Sequence, residues 1–301
     1  MNPDSRIYVA GHTGLVGSAI VRRLRFLGYK NIIERRVDLL DEEATWSFMN
    51  TERPTHVFMA AARCGGIIDN MNYPVKYILD NLRMQNNIIE CAWKTDVERL
   101  LFLGSSCIYP KDCEQPIREE HLLTGKPEET NEFYAIAKIA GIKLCQAFNK
   151  EYKTKFLSIN PCNIYGPGDK FGATGHVIGA LIQKFVSAKS DDVVEIFGDG
   201  TARREFLHVD DLADACVFLI QNQTTDILNV GSGEDVTIKT LVNMIKDIVK
   251  YNGEIYWNNR GPVGMMRKCL DVSELHKLGW KHSINLYDGL KTTISWYKEQ
   301  L

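Results

Sequence analysis

Ile7-Tyr8-Val9-Ala10-Gly11-His12-Thr13-Gly14-Leu15-Val16-Gly17 is the stretch whose reading decides the fold. A short apolar run of β type leads into three glycines spaced G-x-x-G-x-x-G, and a helical stretch opens at Leu15. The first glycine allows a tight turn. The second lets a pyrophosphate come close to the backbone, and the third lets the helix pack on the sheet. Helix N–H groups and the helix dipole then face the phosphates. Gly11, His12, Thr13, Gly14, Leu15, Val16 and Gly17 are therefore expected to bind a nucleotide cofactor.

Beyond this stretch, β-type runs alternate with helical ones. Ile7–Ala10, Asn31–Glu34, Val57–Met59, Leu100–Leu103 and Phe156–Ile159 read as strands, and Leu15–Leu27, Asp41–Met49, Tyr73–Thr95 and Phe133–Tyr152 as helices. Such alternation implies βαβ crossovers and a parallel sheet. After Pro161 come glycine and proline clusters (Tyr165–Gly168, Gly172–Gly175, Gly198–Gly200), a helix near Val177–Ala188, and short strands near Val193–Phe197 and Glu254–Trp257. The expected fold is α/β: a Rossmann-type doubly wound parallel sheet with a smaller α/β substrate domain. Residues 1–165 would form the first domain, rejoined by about 205–230 through an Asp210–Gln221 helix and an Ile227–Val230 strand. Residues 166–204 and 231–301 would form the second.

The chain of 301 residues carries a net charge of −2, which gives no electrostatic reason to expect nucleic acid or a membrane surface. No apolar run reaches the roughly 18–20 residues of a membrane helix, and the start has no signal-peptide pattern. The eight cysteines (64, 91, 107, 113, 145, 162, 216 and 269) are scattered and form no C-x-x-C pair. Most read as small core residues of a reducing, cytoplasmic compartment, and no zinc site is expected.

The end of the second strand bears on the choice of cofactor. It reads Ile32-Ile33-Glu34-Arg35-Arg36. An acidic residue there takes the ribose hydroxyls of NAD, whereas arginine takes the 2′-phosphate of NADP. Two adjacent guanidiniums favour NADP(H) through Arg35 and Arg36, with NAD through Glu34 as the alternative. Tyr134 and Lys138 lie four apart and so share a helix face. A nearby ammonium, with the nicotinamide ribose, can lower a phenol pKa toward neutrality. A second copy of the pattern, Tyr287–Lys291, has no evident role. Just upstream of Tyr134, Ser105 would set a hydroxyl against a substrate carbonyl.

Four segments carry a resemblance: Gly104–Pro110 (Gly-Ser-Ser-Cys-Ile-Tyr-Pro), Tyr134–Cys145, His176-Val-Ile, and Arg204–Asp211. From end to end the chain resembles the extended short-chain dehydrogenase/reductase family, in particular its branch that converts GDP-4-keto-6-deoxy-D-mannose to GDP-L-fucose. The resemblance implies a bifunctional NADPH-dependent enzyme that epimerises C3 and C5 and then reduces C4. It implies Cys107 and His176 as the acid/base pair, and Ser105, Tyr134 and Lys138 as the reductase triad. It places Leu103, Gly104, Ser105, Ser106, Lys138, Pro161, Asn163, Ile164 and His176 beside the cofactor. It also implies that Lys184, Phe197, Arg204 and Lys268 meet the GDP-sugar substrate, and that the protein is a homodimer. Phe197 departs from the family, which often has tryptophan there, and Thr13 stands where some members have arginine. Two other readings remain: a redox-neutral NAD-dependent sugar-nucleotide epimerase or dehydratase, and a non-catalytic NADP-sensing protein.

Overall fold

The computed structural model describes residues 1–172, 175–222, 225–260 and 264–301. Ala173 and Thr174 of the Gly172–Gly175 cluster lie outside the described residues. In chain order the first half gives β1 (Ile7–Ala10), α1 (Leu15–Phe26), β2 (Ile32–Ile33), α2 (Glu42–Glu52), β3 (His56–Met59), α3 (Ile67–Asn72), α4 (Pro74–Lys94), β4 (Arg99–Leu103), α5 (Glu132–Tyr152) and β5 (Phe156–Pro161). There follow β6 (Asn163–Tyr165), α6 (Val177–Ser187), β7 (Val193–Phe197), β8 (Arg203–His208), α7 (Val209–Gln221) and β9 (Ile227–Val230). The chain closes with β10 (Asp235–Thr237), α8 (Ile238–Val249), β11 (Glu254–Asn258), β12 (Arg267–Lys268), α9 (Ser273–Lys277) and α10 (Leu286–Glu299).

Six strands form one parallel sheet in the order β2-β1-β3-β4-β5-β9. Helices α1 and α7 pack together on one side, and α2, α4 and α5 on the other. With helices on both faces, the inner strands must be apolar throughout, not alternating. β1 and β3 are buried at every residue. The second strand is shorter than its apolar run implies. It lies at the sheet edge, pairs only through Ile32 and Ile33, and gives way to exposed Glu34, Arg35 and Arg36. The Ile227–Val230 strand does enter this sheet, beside β5.

The strand order reverses between β1 and β3, so their carboxyl ends open a crevice, the place where doubly wound sheets bind ligands. Two glycines make that crevice possible. Gly11 has φ +83°, and a Cβ on it would lie 2.7 Å from the Ala61 nitrogen. A Cβ on Gly17 would lie 2.1 Å from the Gly11 carbonyl oxygen. Neither position leaves room for a side chain.

A second core, around Tyr165, Ile182, Phe185, Phe206, Ile245 and Ile294, is covered by α6, α8 and α10. Its strands pair across long sequence distances: β8 joins β6 and β12 in parallel and β10 antiparallel, and β7 joins β11 in parallel.

Candidate active site

The glycine turn presents bare backbone at the start of α1. Gly14 occupies the N-cap position without a side-chain cap, so the first helical N–H groups keep their capacity for an outside acceptor. Outward, Thr13 and Gly14 are exposed, and a Cβ on Gly14 would meet only the Gly11 carbonyl at 3.4 Å. A helix N-terminus of this kind suits a pyrophosphate. His12, Leu15 and Val16 complete the turn, half-buried. At the end of β2, Glu34 is engaged by Arg25 in an ion pair, and Arg35 lies 3.7 Å from Glu52. Arg36 is exposed.

Across the crevice, the ends of β4 and β5 carry the next group. Leu103 closes β4, and Gly104 donates its N–H to Ile159 at 2.8 Å, where a Cβ would lie 2.3 Å from Asn160 Oδ1. Ser105 Oγ accepts from the Cys107 N–H at 3.2 Å, and Ser106 is buried in the short turn that follows. The turn is held from below by a buried chain of polar groups. Asn160 donates to the Tyr109 hydroxyl at 3.0 Å, and Tyr109 donates to Asn229 at 2.6 Å. Pro161 ends β5, and Asn163 and Ile164 lie in β6, with Asn163 donating to the Glu205 carbonyl at 2.7 Å.

Helix α5 brings Tyr134 and Lys138 onto this turn. Tyr134 is 8% exposed, and Ser105 acts on its phenol, favouring the ionised form against the burial. Lys138 is 2% exposed and donates to the Leu103 carbonyl at 2.7 Å. Its ammonium lies 5.9 Å from the centre of the Tyr134 ring. Burial lowers the Lys138 pKa to about 8. The expected lowering of the phenol does not follow from the protein's own groups. Burial, then Cys64 and Cys107, push Tyr134 well above its ordinary value. The neutral phenol is thus strongly held, the form a proton donor needs. The second copy of the motif is different: Tyr287 donates to Asp247 at 2.6 Å on α10, at the surface.

Cys107 and His176 belong to the same cluster. Asn131 Nδ2 reaches Cys107 Sγ at 3.3 Å, and Lys268 Nζ stands 3.8 Å from the same sulfur. Lys268 pairs in register with Arg204 on the neighbouring strand, so two cations lie side by side there. His176 stands at the N-cap of α6, but its side chain makes no capping bond. Instead Nε2 lies 3.4 Å from Cys64 Sγ. Burial alone would lower the His176 pKa, but Cys64, Asp169 and Cys107 raise it to about 9. Lys184 and Phe197 form a separate pair, the ammonium 5.4 Å from the ring centre and bonded to the Glu195 carbonyl at 2.6 Å.

Cys64 was hidden among cysteines that read as core residues. Five of the eight are indeed buried, while Cys64, Cys107 and Cys113 are half-exposed. The signal that could have found Cys64 is its place just past the carboxyl end of β3, at the edge where this sheet class gathers its ligands. Asn131 and Asp169 carried no signal of their own.

The sequence profile described as the NAD dependent epimerase/dehydratase family matches residues 7–231. GDP-L-fucose synthase 1 of Arabidopsis thaliana is 47% identical over 98% of this chain and 93% of its own length. GDP-L-fucose synthase of Escherichia coli K12 is 45% identical over 98% of this chain and 97% of its own length. Among solved structures, a GDP-L-fucose synthetase from Naegleria fowleri bound to NADP superposes with a TM-score of 0.91 at 26% identity, covering 100% of this chain and 96% of that one.

The raised phenol has a direct check. Tyr134→Phe should leave the 295 nm absorbance titration of the free protein unchanged up to about pH 10, because Tyr134 does not ionise there. A phenolate signal lost below that pH in the variant would show that the site lowers this tyrosine.

Proposed function

We propose that this chain, which belongs to the NAD dependent epimerase/dehydratase family, converts GDP-4-keto-6-deoxy-D-mannose to GDP-L-fucose with NADPH. The observation that carries the reading is the meeting of two sets of groups in one cluster. Ser105, Tyr134 and Lys138 suit ketone reduction, and Cys107 with His176 suits proton exchange at carbon. Relatives at 45–47% identity over nearly the whole chain bear the GDP-L-fucose synthase name. The absence of an acidic residue beside Ser105 speaks against a dehydratase, since Ser106 and Cys107 stand there.

The chemistry follows from the groups. A ketone at C4 acidifies the protons on C3 and C5. Cys107, faced by the Asn131 amide and the Lys268 ammonium, takes a proton from carbon, since both donors favour negative charge arriving at the sulfur. His176, protonated at neutral pH, returns a proton from the other side. Two groups of opposite readiness are the least that inversion at carbon requires. NADPH supplies the hydride for C4 when bound. Tyr134 then gives its proton to the C4 oxygen, with Ser105 holding that oxygen in place. The Gly11–Gly17 turn holds the pyrophosphate of the cofactor, and Leu103, Gly104, Ser106, Pro161, Asn163 and Ile164 line its nicotinamide end. Arg204 and Lys268 take the sugar diphosphate side of the substrate, and Lys184 with Phe197 the nucleoside side.

NADP is favoured because Glu34, which would bind an adenosine ribose diol, is already paired with Arg25. Arg35→Ala combined with Arg36→Ala should cut the preference for NADPH over NADH by roughly tenfold or more, since a charge-assisted phosphate contact contributes about 1.5–3 kcal/mol. Equal kcat/KM for the two cofactors in the unaltered protein would sink the NADP reading.

A homodimer is supported by apolar side chains that α4 and α5 leave exposed, among them Val75, Leu79, Phe133 and Ile136. Light scattering should give twice the chain mass, and a monomer mass at micromolar concentration would exclude the dimer.

The two chemistries should separate in deuterated water. Tyr134→Phe should nearly abolish C4 reduction and still incorporate label at C3 and C5. Cys107→Ser should slow label incorporation strongly, because a hydroxyl gives up its proton far less readily than a thiol and is the poorer general base here. Wild-type label rates at both carbons in Cys107→Ser would return Cys107 to a packing role.

A further inference from the structure

The cluster holds a second thiol that the scheme above does not use. Cys64 sits past β3 on the wall of a cavity of about 360 Å³ that Arg63, Asp69, Asp80 and Lys170 also line. Its sulfur is 3.4 Å from His176 Nε2, and the Tyr134 hydroxyl also acts on the thiol, favouring its charged form. Lys170 Nζ donates to the Cys64 carbonyl at 3.2 Å, which fixes the backbone of the residue. A second observation points at the same imidazole. Asp169 is 8% exposed; one carboxylate oxygen accepts from the Lys170 N–H at 2.7 Å, and the other has no hydrogen-bond partner among the described residues. A buried carboxylate with an unused oxygen is costly unless a cation stands near it. Burial pushes the Asp169 carboxyl up, and the His176 imidazolium is the largest of the charges that offset it, ahead of the Lys170 ammonium.

We infer that Cys64 is a positioning residue for His176: its thiol passes its proton to Nε2, and the thiolate–imidazolium pair so formed holds His176 ready as a proton donor. The S–H bond breaks, the N–H bond forms, and no electrons leave the pair. The inference rests on the acid role of His176 proposed above.

The charges around both groups agree. His176 is faced by Cys64, Asp169 and Cys107, and Cys64 by His176, Tyr134, Lys138 and Tyr77. Burial is the largest single influence and pushes the Cys64 thiol up, but the His176 imidazolium, with the Tyr134 hydroxyl and the Lys138 ammonium, together pull it down to about 7. With His176 raised to about 9, the charged pair spans the interval between those values. Below that interval the sulfur is protonated, and above it the imidazole loses its proton. An acid that must be protonated fails first on the alkaline side, so removing Cys64 should bring the alkaline limb of proton exchange to lower pH.

Three measurements decide the matter. The first is the NMR titration of the His176 ring C–H in the free protein, its resonance identified by loss in His176→Gln. Cys64→Ser and Cys64→Val should each lower the midpoint by about one pH unit or more, the size an opposite charge at contact distance produces. The second is alkylation of Cys64 by iodoacetamide, read by peptide mass spectrometry. In His176→Gln the rate at about pH 7 should fall several-fold and recover at about pH 10, because only the thiolate reacts. This measurement keeps Cys64 itself intact and so does not depend on the folding of its variants. The third is label exchange at C3 and C5 against pH, where Cys64→Val should shift the alkaline limb down with KM unchanged. An unmoved His176 midpoint in both Cys64 variants, or an unmoved alkylation profile in His176→Gln, overturns the pair. A shifted midpoint with a fixed alkaline limb overturns the positioning role. The first two need no substrate. If they shift as stated and the unaltered protein shows no label exchange at all, the proposed substrate is wrong and the pair stands.

Discussion

The ammonium of Lys138 is buried between α5 and the end of β4, and the site depends on what offsets that burial. A lone charge there would cost several kcal/mol. The Leu103 carbonyl, at the end of β4, accepts one of its N–H bonds at 2.7 Å. The faces of Phe102 and Tyr134 stand 4.7 and 5.9 Å from the nitrogen and add cation–π attraction. The compensation is incomplete, as the pKa of about 8 records. Its structural effect is nonetheless plain. It pins α5 to the end of β4 and so sets Tyr134, one turn earlier on the same helix face, over Ser105.

From that anchor the electrostatics of the pocket follow one rule with two signs. Burial disfavours whichever form is charged. It therefore drives the Tyr134 phenol up and the Lys138 ammonium down, which brings both toward neutrality. Cys64 and His176 escape the rule, and they do so in contact. Cys64 and His176 depart from it in opposite directions because each charge compensates the other at 3.4 Å. Glu205 shows the rule where the nearby cation, Lys268, is too weak an influence to reverse it. Its buried carboxyl accepts the Gly233 and Leu270 N–H groups at 2.8 Å, yet burial still lifts it to about 7.

How far the sequence could be read depends on the range of the interaction involved. The glycine spacing and the apolar runs of β1, β3, β4 and β5 report local structure and burial on both faces, and each of those strands lies where its run stands. The edge strand β2 is shorter than its run because pairing on one side carries it only as far as Ile33. The small sheet around β8 was not legible, since β6, β10 and β12 are short and join it from far along the chain. Nor were α8 and α10 marked out, although Thr237 and Asn285 cap them in the expected manner. In the site, Tyr134, Lys138 and Ser105 were legible from spacing and from their place at strand ends. Cys107 and His176 came through resemblance. Cys64, Asn131 and Asp169 act through tertiary contacts that no spacing encodes.

The second Tyr-x-x-x-Lys shows why spacing alone could not have chosen the site. Tyr287 and Lys291 share a helix face as Tyr134 and Lys138 do, and the Lys291 ammonium even stands nearer its ring centre, at 4.6 Å against 5.9 Å. What differs is the surroundings. Tyr287 gives its hydrogen bond to the Asp247 carboxylate, and Lys291 faces Asp288 in water. High dielectric and an acceptor already engaged leave that phenol nothing to donate to. Tyr134 has its hydroxyl among Ser105 and two sulfurs, away from bulk water, where each charge in reach moves its acidity. The chemistry thus resides in burial and in the neighbours that the strand ends supply.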